Sequence, residues 1–111
     1  MNKIYLIGRL TKENEIEESK DKKTKILRNT IAVYRDKENT DFINVTFLGK
    51  LAEMVEKNTT KGNRIAVGGE LHIQSYKDKE GNAKSFTSVL VNDIDLIDFK
   101  DNKSTQDDLP Y

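Results

Sequence analysis

The chain contains no cysteine, one proline and one histidine in 111 residues. The absence of cysteine excludes disulfides, thiolate nucleophiles and zinc–thiolate sites, and it fits a reducing cell interior. The single histidine, His72, has no second histidine or cysteine with which to complete a metal shell. No apolar run approaches the roughly 20 residues that span a bilayer, and the N-terminus lacks a signal-peptide core. We therefore expect a soluble, cytoplasmic protein without a metal or cofactor.

An excess of charge of one sign is also missing, because 19 basic residues balance 19 acidic ones. Residues 1–100 carry 18 basic and 16 acidic side chains, and residues 101–111 carry 1 and 3. Since the body is so mildly charged, binding to nucleic acid would require local clusters of cations. The chain also lacks a Gly-rich phosphate motif and a convincing catalytic set, which favours a binding domain over an enzyme.

Alternating apolar positions predict five strands in a single domain of residues 1–99. The charged segment Thr11–Thr24 indicates a solvated loop, Lys77–Lys84 indicates a hairpin turn, and residues 49–62 change to a helical period. Five strands with a helix between the third and the fourth are typical of the OB-fold, an all-β, partly open Greek-key barrel. The predicted strands are Lys3–Leu10, Lys25–Tyr34, Phe42–Leu48, Asn63–Tyr76 and Ser85–Ile97.

Three aromatic residues, Tyr34, Phe42 and Tyr76, fall on the polar side of these alternating patterns. An outward ring beside Arg and Lys suits stacking of unpaired bases, because every base has a flat π-face and every nucleotide a phosphate. The alternative is that such rings pair across strands and stabilise the sheet. All three belong to the strands and the hairpin with which OB-folds bind their ligands, which favours the stacking interpretation.

Several sequence blocks resemble the bacterial single-stranded DNA-binding proteins in order and spacing over residues 2 to about 98. The resemblance implies a homotetramer that wraps single-stranded DNA without base specificity or catalysis and coats it during replication, recombination and repair. The small size and abbreviated tail favour a phage or plasmid version. The blocks are Asn2-Lys3-Ile4, Ile7-Gly8-Arg9-Leu10-Thr11, Thr40-Asp41-Phe42, Gly49-Lys50-Leu51-Ala52-Glu53, Lys61-Gly62, Ser75-Tyr76 and Asp78-Lys79-Glu80-Gly81.

Position by position, Tyr34, Phe42 and Tyr76 match stacking aromatics of that family. Leu48 stands where the family usually has a fourth ring, which removes part of the stacking path. Near the last strand the family often has an aromatic at the position of Ser85, and here Phe86 follows one place later. Phe86 therefore has no assigned face from the sequence.

Five cations are candidate phosphate contacts beside these rings. Arg28 and Arg35 lie on or beside the strand that carries Tyr34, and arginine can both bind phosphate and stack on a base. Lys50 begins the predicted helix, whose N-terminus presents free N–H groups to an anion. The full set is Arg9, Arg28, Arg35, Lys50 and Lys84.

The first strand carries a candidate oligomer interface. Its alternation leaves Tyr5 and Ile7 pointing outward beside Lys3. An outward apolar pair on an edge strand favours burial against another subunit, in line with the dimer contact of the family. The alternative is a scattered pair of exposed apolar residues, which is common on protein surfaces.

Residues 100–111 are polar and aperiodic, so we expect a disordered tail. Its tip resembles the acidic tip with which the family docks onto replication, recombination and repair proteins. Two carboxylates, a terminal carboxylate and a ring would fit a basic pocket with an apolar floor. The tip consists of Asp107, Asp108, Leu109, Pro110 and Tyr111.

Two other functions remain compatible with the residues. Stacking platforms do not exclude a 2′-hydroxyl, so an RNA-binding OB module is one alternative. The outward rings could instead form the interface of an OB domain that binds only proteins. Binding of matched DNA and RNA oligonucleotides separates the first alternative from DNA binding, and failure to bind any single strand favours the second.

Overall fold

The computed structural model describes residues 1–100, which form six strands and one helix. The acidic tip predicted at residues 107–111 lies outside the described residues. The elements are β1 (Ile4–Leu10), β2 (Ile16–Glu18), β3 (Lys25–Tyr34), β4 (Thr40–Leu48), α1 (Lys50–Asn58), β5 (Arg64–Lys77) and β6 (Ala83–Leu96).

The strands form one sheet in the order β1-β5-β6-β4-β3-β2, and additional pairing between β1 and β3 closes it into a barrel. The pairs are antiparallel except β4 with β6, which is parallel. The helix α1 lies between β4 and β5 in the chain, where the sequence predicted it. The predicted all-β OB-fold is confirmed.

One local prediction was wrong, because the segment Thr11–Thr24 is not entirely a solvated loop. It contains β2, which pairs with β3 through Ile16 opposite Leu27. Ile16 is half-buried and packs against the core, and this contact holds the short segment on the barrel. Three residues are too few to show the alternation from which a strand is recognised in sequence.

The barrel interior is filled by apolar side chains from the inward positions of the strands and by Ala52 and Val55 of α1. Two polar residues, Asn29 and Thr59, are also buried. Asn29 donates from Nδ2 to the Lys12 carbonyl at 3.0 Å and to Asn14 Oδ1 at 2.9 Å. Asn14 in turn donates to the Thr59 carbonyl at 3.0 Å, at the end of α1. This network satisfies the buried amide and ties the segment after β1 to the helix.

A hairpin of β5 and β6 extends past the barrel. Both strands have 14 residues, but the last buried residue of β5 is Gly69 and the first buried residue of β6 is Val89. Leu71 and Ile73 share the side of Ile65 and Val67, as the alternation predicts, yet both are exposed because the hairpin has left the core. We call the part beyond the core, residues 71–88, the hairpin arm.

A β-bulge sits where the arm begins. Gly68 pairs with Asp93 and Gly69 pairs with Val91, so Asn92 of β6 has no partner on β5. A bulge of this kind adds one residue to one strand and reverses the alternation of side chains along it. Inward residues of β6 are therefore Val89 before the bulge and Ile94 after it.

An ion pair fastens the two ends of the hairpin. Arg64 donates to Asp98 from Nε at 2.9 Å and from Nη2 at 3.1 Å, and its backbone N–H donates to Oδ2 at 2.9 Å. These hydrogen bonds, led by the one from the guanidinium, lower the pKa of Asp98 from 3.8 to about 2.

The lowered pKa predicts a pH-dependent effect of Asp98→Asn. A depressed carboxyl contributes stability that is present above its ordinary pKa and is lost as the pH falls through the folded value. Because the pair is partly exposed, we expect the variant to lose about 1 kcal/mol at pH 7. Urea unfolding at several pH values should show the difference from wild type closing between pH 4 and pH 2. A difference at pH 2 as large as that at pH 7 would contradict this assignment.

Candidate nucleic-acid interface

Tyr34 and Phe42 lie on the outer side of the barrel. Tyr34 stands opposite Thr40, and Phe42 stands opposite Ala32, so the two rings are diagonal neighbours across β3 and β4. Diagonal positions are about 7–8 Å apart, within reach of aromatic side chains. Both side chains are more than two-thirds exposed. The sequence alternation placed these rings on the same side, and the register agrees.

Tyr76 lies on the same side of the sheet, on the arm. It stands opposite Lys84, and Gln74 stands opposite Phe86 two positions closer to the barrel. Opposite residues of an antiparallel pair share a face, so the lysine and both rings point the same way. We call the outer side of β3, β4 and the arm, with Tyr34, Phe42, Tyr76 and Phe86, the ring face.

The ring face contains a groove of about 420 Å³ between the strands of the barrel and the arm. Sequence reasoning assigned neither Phe86 nor the polar residues His72 and Gln74 to such a site. The face of Phe86 follows from the pairing of Tyr76 with Lys84, which only the structure shows. The groove is lined by side chains that include Lys12, Arg28, Asn44, His72, Gln74 and Phe86.

Three of the five predicted cations stand on the outer side beside the ring face. Arg9 stands opposite Ala32, which is in turn opposite Phe42, and its guanidinium donates to the Gly62 carbonyl at 2.9 Å. Lys84 is opposite Tyr76. Arg28 lines the groove and pairs with Glu17 of β2 at 2.5 Å.

The structure does not bring Arg35 onto the ring face. Its guanidinium pairs with Asp41 through Nη2 to Oδ1 at 2.5 Å, and Asp41 stands opposite the inward residue Val33. The Asp41 carboxylate raises the pKa of Arg35 above its ordinary value. The sequence predicted Arg35 beside the rings because it directly follows Tyr34. Successive residues of an extended chain, however, point to opposite faces of the sheet.

Lys50 is the exposed first residue of α1, as the sequence predicts. The helix start already carries a carboxylate, since Glu53 lies in the first turn and pairs with Lys25 at 2.8 Å. The hydrogen bond from Lys25 lowers the pKa of Glu53 below its ordinary value, and the nearby charge of Lys50 adds a smaller effect. A phosphate at this helix end would therefore meet both lysines and one acid.

The outward residues of β1 form a second surface. Lys3, Tyr5 and Ile7 are all exposed. The Tyr5 ring lies over Gly68, where an added Cβ would come within 2.7 Å of it. Tyr5 and Ile7 line a shallow cavity of about 520 Å³ together with β5 and β6. The surface suits contact with another subunit, and that role stays a prediction.

Metal and membrane sites have no support in the part of the chain that the structure describes. Residues 1–100 contain no group of three or more His, Asp or Glu side chains able to hold a metal ion. His72 lies 3.4 Å from Glu70 on the outer side of β5. None of the described helical segments has the length and apolar character needed to cross a bilayer.

The barrel and its exposed rings define an OB-fold binding domain, and comparison with known proteins gives its family. The model of the single-strand binding protein family matches residues 1–97. The single-stranded DNA-binding protein of Clostridium perfringens is 39% identical over 100 residues, 88% of this chain and 67% of that protein. Single-stranded DNA-binding protein 1 of Clostridium acetobutylicum is 39% identical over 106 residues, 90% of this chain and 96% of that protein.

A solved structure gives the same fold at lower sequence identity. The mitochondrial single-stranded DNA-binding protein of S. cerevisiae aligns with a TM-score of 0.75 at 20% identity, over 86% of this chain and 94% of that one. The chain belongs to the single-strand binding protein family, and the resemblance seen in its sequence blocks is confirmed.

Proposed function

We propose that this protein binds single-stranded DNA without sequence specificity, coating and protecting it in the cytoplasm. The observation that carries the proposal is the convergence of Tyr34, Phe42 and Tyr76, from three different strands, on one exposed face. Membership of the single-strand binding protein family supports the same function. The role is one of binding, without a catalytic step.

Stacking explains why the ligand is a single strand. An unpaired base offers a free π-face to each ring, whereas the bases of a duplex are stacked on one another, so stacking disfavours the duplex. Stacking does not depend on base identity, which makes the contact tolerant of sequence. Arg9, Arg28 and Lys84 beside the rings would neutralise phosphates.

Assembly and partners complete the proposal. We propose that the exposed surface of Lys3, Tyr5 and Ile7 on β1 contributes to a homotetramer, since exposed apolar side chains grouped on one strand are suited to burial between copies. We further propose that the tip Asp107–Tyr111 recruits replication, recombination and repair proteins.

The proposal is tested by fluorescence anisotropy with labelled oligo-dT, the matching duplex and oligo-U at two salt concentrations. We expect tight binding of oligo-dT that weakens with salt, and little binding of the duplex. Preference for oligo-U would favour the RNA-binding alternative. No binding of either single strand at low salt would reject the proposal and favour a domain that binds only proteins.

The ion pair between Arg28 and Glu17 predicts a gain of affinity in Glu17→Gln. In the free protein the carboxylate occupies the guanidinium that a phosphate would bind. Removing this competition should tighten oligo-dT binding by about 1.5- to 5-fold, in keeping with the roughly 0.2–1 kcal/mol of exposed ion pairs. It should also steepen the slope of log K against log salt by up to about 0.7, the value for one more phosphate contact on a single strand.

Glu38→Gln is the matched control, because Glu38 is an exposed residue of the β3–β4 turn and has no ion pair in the described residues. Anisotropy titrations at four salt concentrations measure both the affinity and the slope. Equal effects of the two variants would show that only net charge matters, and that Arg28 does not contact phosphate.

A further inference from the structure

We infer that Phe86 is a fourth base-stacking residue, which joins the other three rings into one path across the sheet. The bound strand would then cross β3, β4, β6 and β5 in turn, with an unpaired base stacked on Phe86. This inference rests on the proposed function and deepens it, because it assigns a stacking contact to the DNA and a path across the sheet.

The register of β4 and β6 places Phe86 on the same face of the sheet as Phe42. The two strands run parallel, with Asn44 level with Ser88. This is the last pair of the two strands, and the same register continued two residues earlier on each strand would bring Phe42 and Phe86 level on the same face. Asn44 holds the strands together at this point, because its Nδ2 donates to the Thr87 carbonyl at 3.2 Å.

The register of β5 and β6 continues the path to Tyr76. Gln74 stands opposite Phe86, and Tyr76 lies two residues further along β5. Tyr76 is therefore the diagonal neighbour of Phe86, as Tyr34 is of Phe42. Without Phe86, the rings on β4 and β5 would be separated by the whole width of β6. With it, each of the four neighbouring strands carries one ring.

The surroundings of Phe86 suit a base better than a place in the core. Its side chain is 48% exposed, close to the 52% of Tyr76, and it is not among the residues that form or pack against the core cluster. It lines the groove on the ring face together with Gln74 and Ser88. A flat apolar ring edged by an amide and a hydroxyl can hold a base by its face and hydrogen-bond its edge.

The position of Phe86 also distinguishes the path from one that follows β4. Leu48, which stands where the family usually has a ring, is opposite Ile26 at the far end of β4. Phe86 lies level with the other end of that strand and cannot fill the same place. The absence of a ring at Leu48 and the presence of one at Phe86 together favour a DNA path that crosses the sheet.

Tryptophan fluorescence tests the inference, because the chain has no tryptophan and each substitution introduces a single reporter. The variants are Phe86→Trp, Phe42→Trp and Phe99→Trp, each in the full-length chain. Phe99 is an exposed ring beyond the end of β6 and serves as the control. Each variant is saturated with oligo-dT, and saturation is verified by anisotropy of the labelled DNA.

We expect oligo-dT to quench the emission of Phe86→Trp and Phe42→Trp strongly and that of Phe99→Trp little. Phe86→Ala should weaken binding about 5-fold or more, whereas Phe99→Ala should leave it within 2-fold. Quenching at position 42 without quenching at position 86 would overturn this inference and leave the proposed function standing. Failure of the wild-type chain to bind oligo-dT would overturn both.

A purely structural role of Phe86 predicts a different pattern. The ring would then support the arm, and Phe86→Ala would lower the free energy of unfolding without any response of the Phe86→Trp emission to DNA. Urea unfolding of Phe86→Ala, measured beside the titrations, supplies this readout. Unquenched emission at saturation would overturn the stacking role whatever the stability of the alanine variant.

Discussion

Phe42→Ala should weaken oligo-dT binding by about 5- to 150-fold, corresponding to the roughly 1–3 kcal/mol that one stacked base contributes. Tyr34→Ala should have an effect of the same size. Both rings are exposed and stand outside the core, so neither truncation should cost much stability. Anisotropy titration with labelled oligo-dT measures the loss of affinity, and circular dichroism melting measures the fold.

Phe99→Ala is the control for these truncations, since it removes an exposed ring that lies outside the sheet. Its affinity should match that of the wild-type chain. The double variant Tyr34→Ala/Phe42→Ala should lose more affinity for oligo-dT than either single variant. The deviation of this loss from the sum of the two single losses measures how strongly the neighbouring rings are coupled. Unchanged affinity in both single variants would remove the stacking mechanism.

Gly69→Ala should destabilise the barrel by at least about 3 kcal/mol, because overpacking against backbone is among the few causes of large single-residue effects. An added Cβ would lie 2.1 Å from the Leu90 carbonyl oxygen and 2.9 Å from its carbon. These are backbone atoms of β6 at the bulge, so relief requires the two strands to move apart. Thermal unfolding should shift down by roughly 12 °C or more.

The adjacent Gly68→Ala is a matched control for this effect. Its Cβ would also meet an atom at 2.7 Å, but that atom belongs to the exposed ring of Tyr5, which can rotate away. We expect a loss below about 1 kcal/mol. Gly69→Ala should also weaken oligo-dT binding, because the bulge sets which residues of the arm point to the ring face. Equal melting temperatures for the two variants would refute the tight packing at Gly69.

Alternation along the strands made most of the fold predictable. The period of two assigned Tyr34, Phe42 and Tyr76 to the outer side correctly, because each precedes or follows a clear run of inward apolar residues. The change of period after Leu48 marked the helix, and its place between strands indicated the OB-fold. The short strand β2 was not predicted, because three residues are too few to show a period.

The features that the sequence did not predict depend on contacts between distant residues. The face of Phe86 follows from the pairing register of β5 and β6, and the bulge at Asn92 breaks the alternation that would have indicated it. Arg35 was expected beside the DNA, and its pairing with Asp41 on the other side of the sheet became visible only with the register of β3 and β4. The exposure of Ile73 arises because the arm extends past the core.

Photo-crosslinking locates the single-stranded DNA on the protein and so tests whether it lies on the ring face. Oligo-dT is bound to the full-length chain, irradiated, and the crosslinked peptides are identified by mass spectrometry. We expect crosslinks in the peptides that contain Tyr34, Phe42 and Tyr76, and none at Tyr5 on β1. Crosslinks concentrated on β1, with the ring-face peptides recovered unmodified, would contradict this expectation.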